Sequence, residues 1–275
     1  MKKIPSLAVI TTCALLTSFL SAQAANQNIS TSGGTSSTQP MPDPSEVLTR
    51  SMEIFSKVGS IRMDMISKDA SGQEIPFISD RKTSQDGIVR EKTVVNIPGD
   101  KSGLNMVSLS LPEGMYQLFT EKKKALHLKF LSDVQQESAA SIPTLSKASA
   151  SSFTITLGTY DGKQCYIIEE RISAAEQAAI KSEVEKSSAL KKMNAPTDIP
   201  TIELKIYKIS IPESTLLLQE SYDSEGNLLS SIKYKSITET QLPDTYFAIP
   251  EDCEISEITT IDEMSKKMME ILDGE

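Results

Sequence analysis

The stretch that decides the fold runs from Thr201 to Asp252 and closes with Leu242-Pro243-Asp244-Thr245-Tyr246-Phe247-Ala248-Ile249-Pro250. Within it Ile202-Leu204-Ile206, Leu216-Leu218 and Leu228-Ile232-Tyr234 are apolar runs with alternating polar neighbours, the period-two pattern of strands that bury one face. Asp223-Ser224-Glu225-Gly226-Asn227 separates the last two runs and is a turn signal. The segment therefore predicts two or three antiparallel strands followed by an aromatic closing piece bracketed by prolines.

The same rhythm extends upstream. Ile61 to Ser67, Gly87 to Asn96, Leu104 to Leu111, Met115 to Thr120 and Ala125 to Phe130 read as strands. Pro112-Glu113-Gly114 is a turn, and Lys122-Lys123-Lys124 reads as a solvated hairpin tip. In Leu104 to Leu111 the apolar set Val107, Leu109 and Leu111 alternates with Ser108 and Ser110. Residues 131–150 are weakly patterned and read as a loop. Phe153-Ile155-Leu157 and Tyr166-Ile168 flank Tyr160-Asp161-Gly162-Lys163, a strong hairpin signal. Helices interrupt the pattern in three places. Asp43 caps a first helix, with Pro44 at its first position, Leu48, Met52 and Phe55 on one face, and Gly59 as its end. Ser173 and Glu176 box a thin-striped helix over 173–193, with Ala179, Ile180, Val184 and Leu190 as its stripe and Pro196 and Pro200 beyond it. Thr260 and Glu263 box a last helix over 260–272, with Ile261, Met264, Met268 and Ile271 on one face. The expected class is α+β: a curved antiparallel sheet, an open half-barrel, covered by a few helices.

The ends bound compartment and charge. Lys2 and Lys3, the short apolar run Leu7 to Leu20 and the small-x-small site Ala22-Gln23-Ala24 read as a secretory signal peptide over residues 1–24. Cys13 lies inside the apolar run rather than at its end, a poor lipoprotein site. Residues 25–42 are Ser, Thr, Gly, Gln, Asn and Pro with almost no apolar side chain, the composition of a disordered linker. Residues 43–275 are then one domain of about 230 residues, expected to be exported, periplasmic and monomeric, with no stable membrane insertion. The leader holds two lysines and no acid, so its removal takes the formal charge from −9 to −11. Such an acidic chain is not steered to nucleic acid.

Motifs for chemistry are sparse. The chain has one histidine, His127, expected on the outward face of its strand, which leaves no basis for a histidine-rich metal site. No phosphate-binding glycine loop, nucleophile elbow or Cys-x-x-Cys is present. Glu169-Glu170 and Glu251-Asp252 are adjacent pairs, and on a strand adjacent side chains point to opposite faces. No catalytic residue, metal or cofactor is therefore expected, and the chain reads as a non-enzyme. Cys165 and Cys253 could form a disulfide; two buried thiols or an intermolecular bond are the alternatives.

Leu157-Gly158-Thr159-Tyr160-Asp161-Gly162-Lys163-Gln164-Cys165-Tyr166, then Ile206-Tyr207-Lys208-Ile209-Ser210, Leu216-Leu217-Leu218, Gly226, Tyr234, Leu242-Pro243-Asp244 and Phe247-Ala248-Ile249-Pro250, stand in an order that resembles the LolA/LolB-like periplasmic proteins. The likeness covers residues 150–250 and the N-terminal half by pattern alone. The Arg-Pro-x-x-Phe-Arg-Trp-like segment of the lipoprotein carriers is missing, because Leu104 to Gln117 holds neither Arg nor Trp. The resemblance implies a half-barrel whose concave face binds a lipid, an acyl chain or lipidated cargo. The alternative is a cell-envelope interaction module with a filled core and a protein partner. The candidate lining residues are Val107, Leu109, Leu126, Leu128 and Ile155 from the first strands, and Ile168, Leu204, Leu218, Ile232 and Tyr234 from the later ones.

Overall fold

A computed structural model describes residues 41–95, 106–129, 131, 152–186 and 201–273. The leader 1–24, nearly all of the linker, Leu104, Phe130, most of the 131–150 loop, helical positions 187–193, Pro196 and Pro200 lie outside the described residues.

The fold is α+β. Helix α1 (Pro44–Ser56) precedes six strands: β1 (Gly59–Asp69), β2 (Glu74–Thr83), β3 (Val89–Val95), β4 (Met106–Leu111), β5 (Gly114–Phe119) and β6 (Lys124–Leu128). The hairpin β7 (Ser152–Tyr160) and β8 (Lys163–Arg171) leads to α2 (Ala174–Lys186). Then follow β9 (Leu204–Ser210), β10 (Leu216–Tyr222), β11 (Leu228–Thr240), a 3-10 turn (Asp244–Phe247), β12 (Glu254–Ile258) and α3 (Ile261–Asp273). All twelve strands form one sheet in the order β12-β6-β5-β4-β3-β2-β1-β11-β10-β9-β8-β7. Every pairing is antiparallel except β12 on β6, and the sheet is curved and does not close. Two meanders, β1 to β6 and β7 to β11, are joined by the long-range β1–β11 ladder, from Ser60 opposite Thr240 to Asp69 opposite Ser230.

Local chemistry explains the turns. Asp69-Ala70-Ser71-Gly72-Gln73 and Asp223-Ser224-Glu225-Gly226-Asn227 share one geometry. The Asp69 carboxylate accepts from Ser71 N and Gln73 N, and the Asp223 carboxylate accepts from Glu225 N and Asn227 N, all at 2.8–3.0 Å. Gly72 and Gly226 take the left-handed backbone these loops require, at φ 82° and 80°. The helix starts also follow the sequence. The Asp43 carboxylate accepts from Ser45 N at 2.8 Å, and the Ser173 and Thr260 hydroxyls accept from Glu176 N and Glu263 N. Gly59 corrects one expectation: α1 stops at Ser56, and Gly59, at φ 130°, opens β1 instead of capping the helix.

Two strands carry little sequence signal. β2 holds Pro76, Asp80, Arg81 and Lys82, which mask its Ile75-Phe77 alternation. β12 is short, and its pairing with β6 is parallel, a partnership no local pattern announces.

Both faces of the sheet are packed. The larger core lies on the face covered by α1 and α3, here called the inner face. It contains Met63, Met65, Phe77, Met106, Leu126 and Ile168 from the strands, Leu48 from α1 and Met264, Met268 and Ile271 from α3. The smaller core, on the outer face, contains Val107, Leu109, Tyr116, Leu118 and Ala125, with Ile249 and Cys253 packed against it. The closing segment at 242–250 is thus folded over the outer side of the first meander. Lys82 Nζ donates to Leu242 O at 2.9 Å and pairs with Asp244 at 2.7 Å. The Tyr246 hydroxyl donates to Asp80 Oδ2 at 2.5 Å, while Arg62 grips Asp80 with Nε at 2.7 Å and an Nη at 2.9 Å. Lys92 Nζ stands 4.1 Å from the centre of the Tyr246 ring.

Candidate functional site: the inner face of the half-barrel

The strand register sets the inner face in rows. Because side chains alternate, residues two apart share a face, and paired residues on neighbouring strands lie side by side. Across β1 to β4 the first row is Ile61, Arg81, Glu91 and Ser110. The second is Met63, Ser79, Thr93 and Ser108, continued on β5 by Gln117 and on β6 by Leu126. The third is Met65, Phe77, Val95 and Met106. Tyr234 of β11 pairs with Met65, and its ring lies 6.3 Å from that of Phe55 on α1.

The middle of these first two rows is polar: Arg81, Ser79, Glu91, Thr93 and Gln117 are buried, and Ser108 and Ser110 half-buried. The Ser79 hydroxyl donates to Glu91 Oε1 at 2.7 Å, and Thr93 Oγ1 donates to Ser79 Oγ at 3.2 Å. The Ser108 hydroxyl donates to Gln117 Oε1 at 2.9 Å, and Gln117 Nε2 donates to Val107 O at 3.3 Å. Burial pushes the Glu91 carboxyl above its ordinary range, against the pull of the Ser79 hydroxyl and the Arg81 charge. Arg81 is 7% exposed, and its Nε has no hydrogen-bond partner among the described residues. In the second meander the Tyr207 hydroxyl donates to Glu170 at 2.8 Å, and Lys205 Nζ stands 3.7 Å from the same carboxylate. Burial, then the Glu170 charge, pushes the Tyr207 hydroxyl well up, so it remains a neutral donor.

Six of the ten candidate lining residues fall on this face. Leu126, Leu128, Ile168, Ile232 and Tyr234 belong to the inner core, and Ile155 packs against it. Four do not. Val107 and Leu109 belong to the outer core. Leu218 pairs with Lys208 and Lys233, and Leu204 pairs with Arg171 and Tyr222, all outer-face positions. The reason in β4 is that both faces are buried, so its serines turn inward with Met106 while Val107 and Leu109 meet the closing segment. In β10 the register shift between Leu216 and Leu218 reverses the count, and Leu216 is the inner residue. Ser79, Arg81, Glu91 and Thr93 are not candidates in the sequence, because β2 carries no readable period and polar strand residues look solvent-facing.

The remaining candidates are simple to place. His127 is on the outer face, stacked on Tyr116 with ring centroids 4.4 Å apart. Cys165 and Cys253 are free thiols and do not form the candidate disulfide; one lies on β8 and the other just before β12, near opposite edges of the sheet. Among the described residues no group of three or more His, Cys, Asp or Glu could hold a metal ion. Among the same residues no helix is long and apolar enough to cross a membrane.

No protein-family model matches the chain, and no curated protein sequence matches it. Solved structures do. The chain is similar to an uncharacterized conserved protein from Thermus thermophilus, at 10% identity and TM-score 0.47, over 78% of this chain and 98% of that one. It is similar to the Pseudomonas aeruginosa MucA/MucB complex structure at 11% identity and TM-score 0.48, over 79% of this chain and 64% of that one. A LolA superfamily protein from Nitrosomonas europaea is similar at 9% identity and TM-score 0.32, over 76% of this chain and 98% of that one.

Proposed function

We propose that the protein is an exported envelope protein that binds a lipid, an acyl chain or lipidated cargo on the inner face of its half-barrel, and that it catalyses no reaction. The observation that carries this reading is the composition of the inner core. Six of the eleven methionines, Met63, Met65, Met106, Met115, Met264 and Met268, are buried there. Methionine is unbranched and polarizable and re-packs around variable apolar shapes. The unclosed sheet leaves this soft lining between two helices, α1 and α3, instead of sealing it within a barrel. Burial of acyl surface at roughly 25 cal/mol per Å² supplies the affinity. Titration of the full chain with the neutral fluorophore N-phenyl-1-naphthylamine tests the reading. Saturable enhancement, reversed by a long-chain lipid, is the expected result, and absence of saturable binding refutes it.

A second reading has its own support. Ile168, Ile209 and Leu216 have no solvent exposure, as in a core filled by its own side chains. The protein would then act as an interaction module for an envelope protein. A null dye titration together with specific capture of one protein would favour it.

A further inference from the structure

Three neighbouring strands of the inner face are graded in the same direction. β2 runs Arg81, Ser79, Phe77; β3 runs Glu91, Thr93, Val95; β4 runs Ser110, Ser108, Met106. The register sets these residues side by side, so the grading forms one lane, polar at the β2–β3 turn and apolar at its other end. From Arg81 to Phe77 the lane is on the order of 13 Å long at about 3.3 Å per residue. A lane that is charged at one end and apolar at the other complements an amphiphile of the same polarity.

The head of the lane is unfinished. Ser79, Thr93, Ser108 and Gln117 find hydrogen-bond partners within the rows, and Glu91 accepts from Ser79. Arg81 Nε does not: among the described residues it lacks a partner although the residue is over nine-tenths buried. Glu91 acts on it electrostatically, yet no ion pair or hydrogen bond joins the two. A guanidinium stays charged, and a buried charge calls for an acceptor. A carboxylate meets that need best, because its two oxygens match the planar fork.

We propose that Arg81 is the head-group site of the half-barrel and that its ligand is a single-chain fatty acid, with the carboxylate at Arg81 and the chain over Phe77, Val95 and Met106. This rests on the reading that the inner face takes an apolar ligand. No hydrogen bond from Glu91 reaches Arg81 Nε, which leaves that donor available to the ligand's carboxylate.

The test uses the full chain with N-phenyl-1-naphthylamine bound, displaced by palmitate or by methyl palmitate, each below its aggregation concentration. The two competitors share a chain and differ in the head. Palmitate is expected to displace the probe at a concentration at least tenfold lower than its ester does. Arg81→Gln is expected to erase that difference, and Arg81→Lys to restore part of it. Equal displacement by acid and ester in the unaltered protein overturns the proposal, as does a preference that survives in a folded Arg81→Gln protein. If the variants fail to fold, the acid-to-ester ratio of the unaltered protein decides alone. Probe and ester binding with no preference for the acid removes the fatty-acid site and leaves apolar binding intact. No binding of probe, acid or ester removes both.

Discussion

Replacing Asp80 with alanine should unfasten the closing segment from the sheet. Asp80 is 1% exposed and accepts three charge-assisted or short hydrogen bonds, two from Arg62 and one from the Tyr246 hydroxyl. Hydrogen bonds to charged groups contribute about 1.5–3 kcal/mol each in buried settings. The side chain of Arg62 is 47% exposed, however, so water replaces much of what it loses. Tyr246 is only partly buried, and its hydroxyl can rehydrate as well. The expected loss is therefore about 3 kcal/mol, the lower end of what breaking a buried ion pair costs. For a chain of this size that lowers Tm by about 6–12 °C. Thermal unfolding followed by circular dichroism measures it. Tyr246→Phe alone should cost about 1 kcal/mol. The double variant should lose less than the sum, because the two changes share one hydrogen bond. A Tm for Asp80→Ala within about 2 °C of the unaltered protein, or strict additivity with Tyr246→Phe, would refute the latch.

Further outcomes follow from the inner face. Burial raises the Glu91 carboxyl above its ordinary 4.5, so the folded chain holds that proton more tightly than the unfolded chain. Its contribution is most favourable at acid pH and declines as pH rises above about 4.5 through the folded value. Glu91→Gln, which cannot titrate, should therefore gain stability over the unaltered protein as pH rises above about 4.5, as unfolding at a series of pH values will show. Ile168→Ala removes a side chain with no exposure from the inner core and should cost about 2–5 kcal/mol, measured by denaturant titration. Burial also pushes the Cys165 thiol up and encloses it, so it should react with a disulfide reagent only after unfolding, whereas the half-buried Cys253 reacts in the folded state. Equal rates for the two thiols would contradict that placement.

Much of the sheet was legible because its strands state their period. The 201–252 stretch, the β7–β8 hairpin and the three helix starts all carry local signals, and a turn such as Asp223 to Asn227 is written in five residues. The direction of each face was less legible. An alternating strand names two faces but not which of them meets the larger core. β4 makes the point, since Val107 and Leu109 are buried under the closing segment, and the serines face inward. One register shift in β10 likewise exchanges Leu218 for Leu216. The polar rows were hidden for a different reason. Arg81, Ser79 and Glu91 look solvated in a linear sequence, and only the pairing of β2 with β3 shows that they share a buried face. That pairing depends on β2, whose charges obscured it.

Whether the inner face receives an apolar ligand is decided most directly by what the protein itself carries. The full chain is purified without detergent, extracted with organic solvent and assayed by lipid mass spectrometry against an unrelated protein handled in parallel. A ligand-bearing inner face predicts a stoichiometric, chain-bearing lipid that is depleted when bulk is added to the lane by Met106→Trp. An extract indistinguishable from the control, from a protein that also fails to bind N-phenyl-1-naphthylamine, would contradict it.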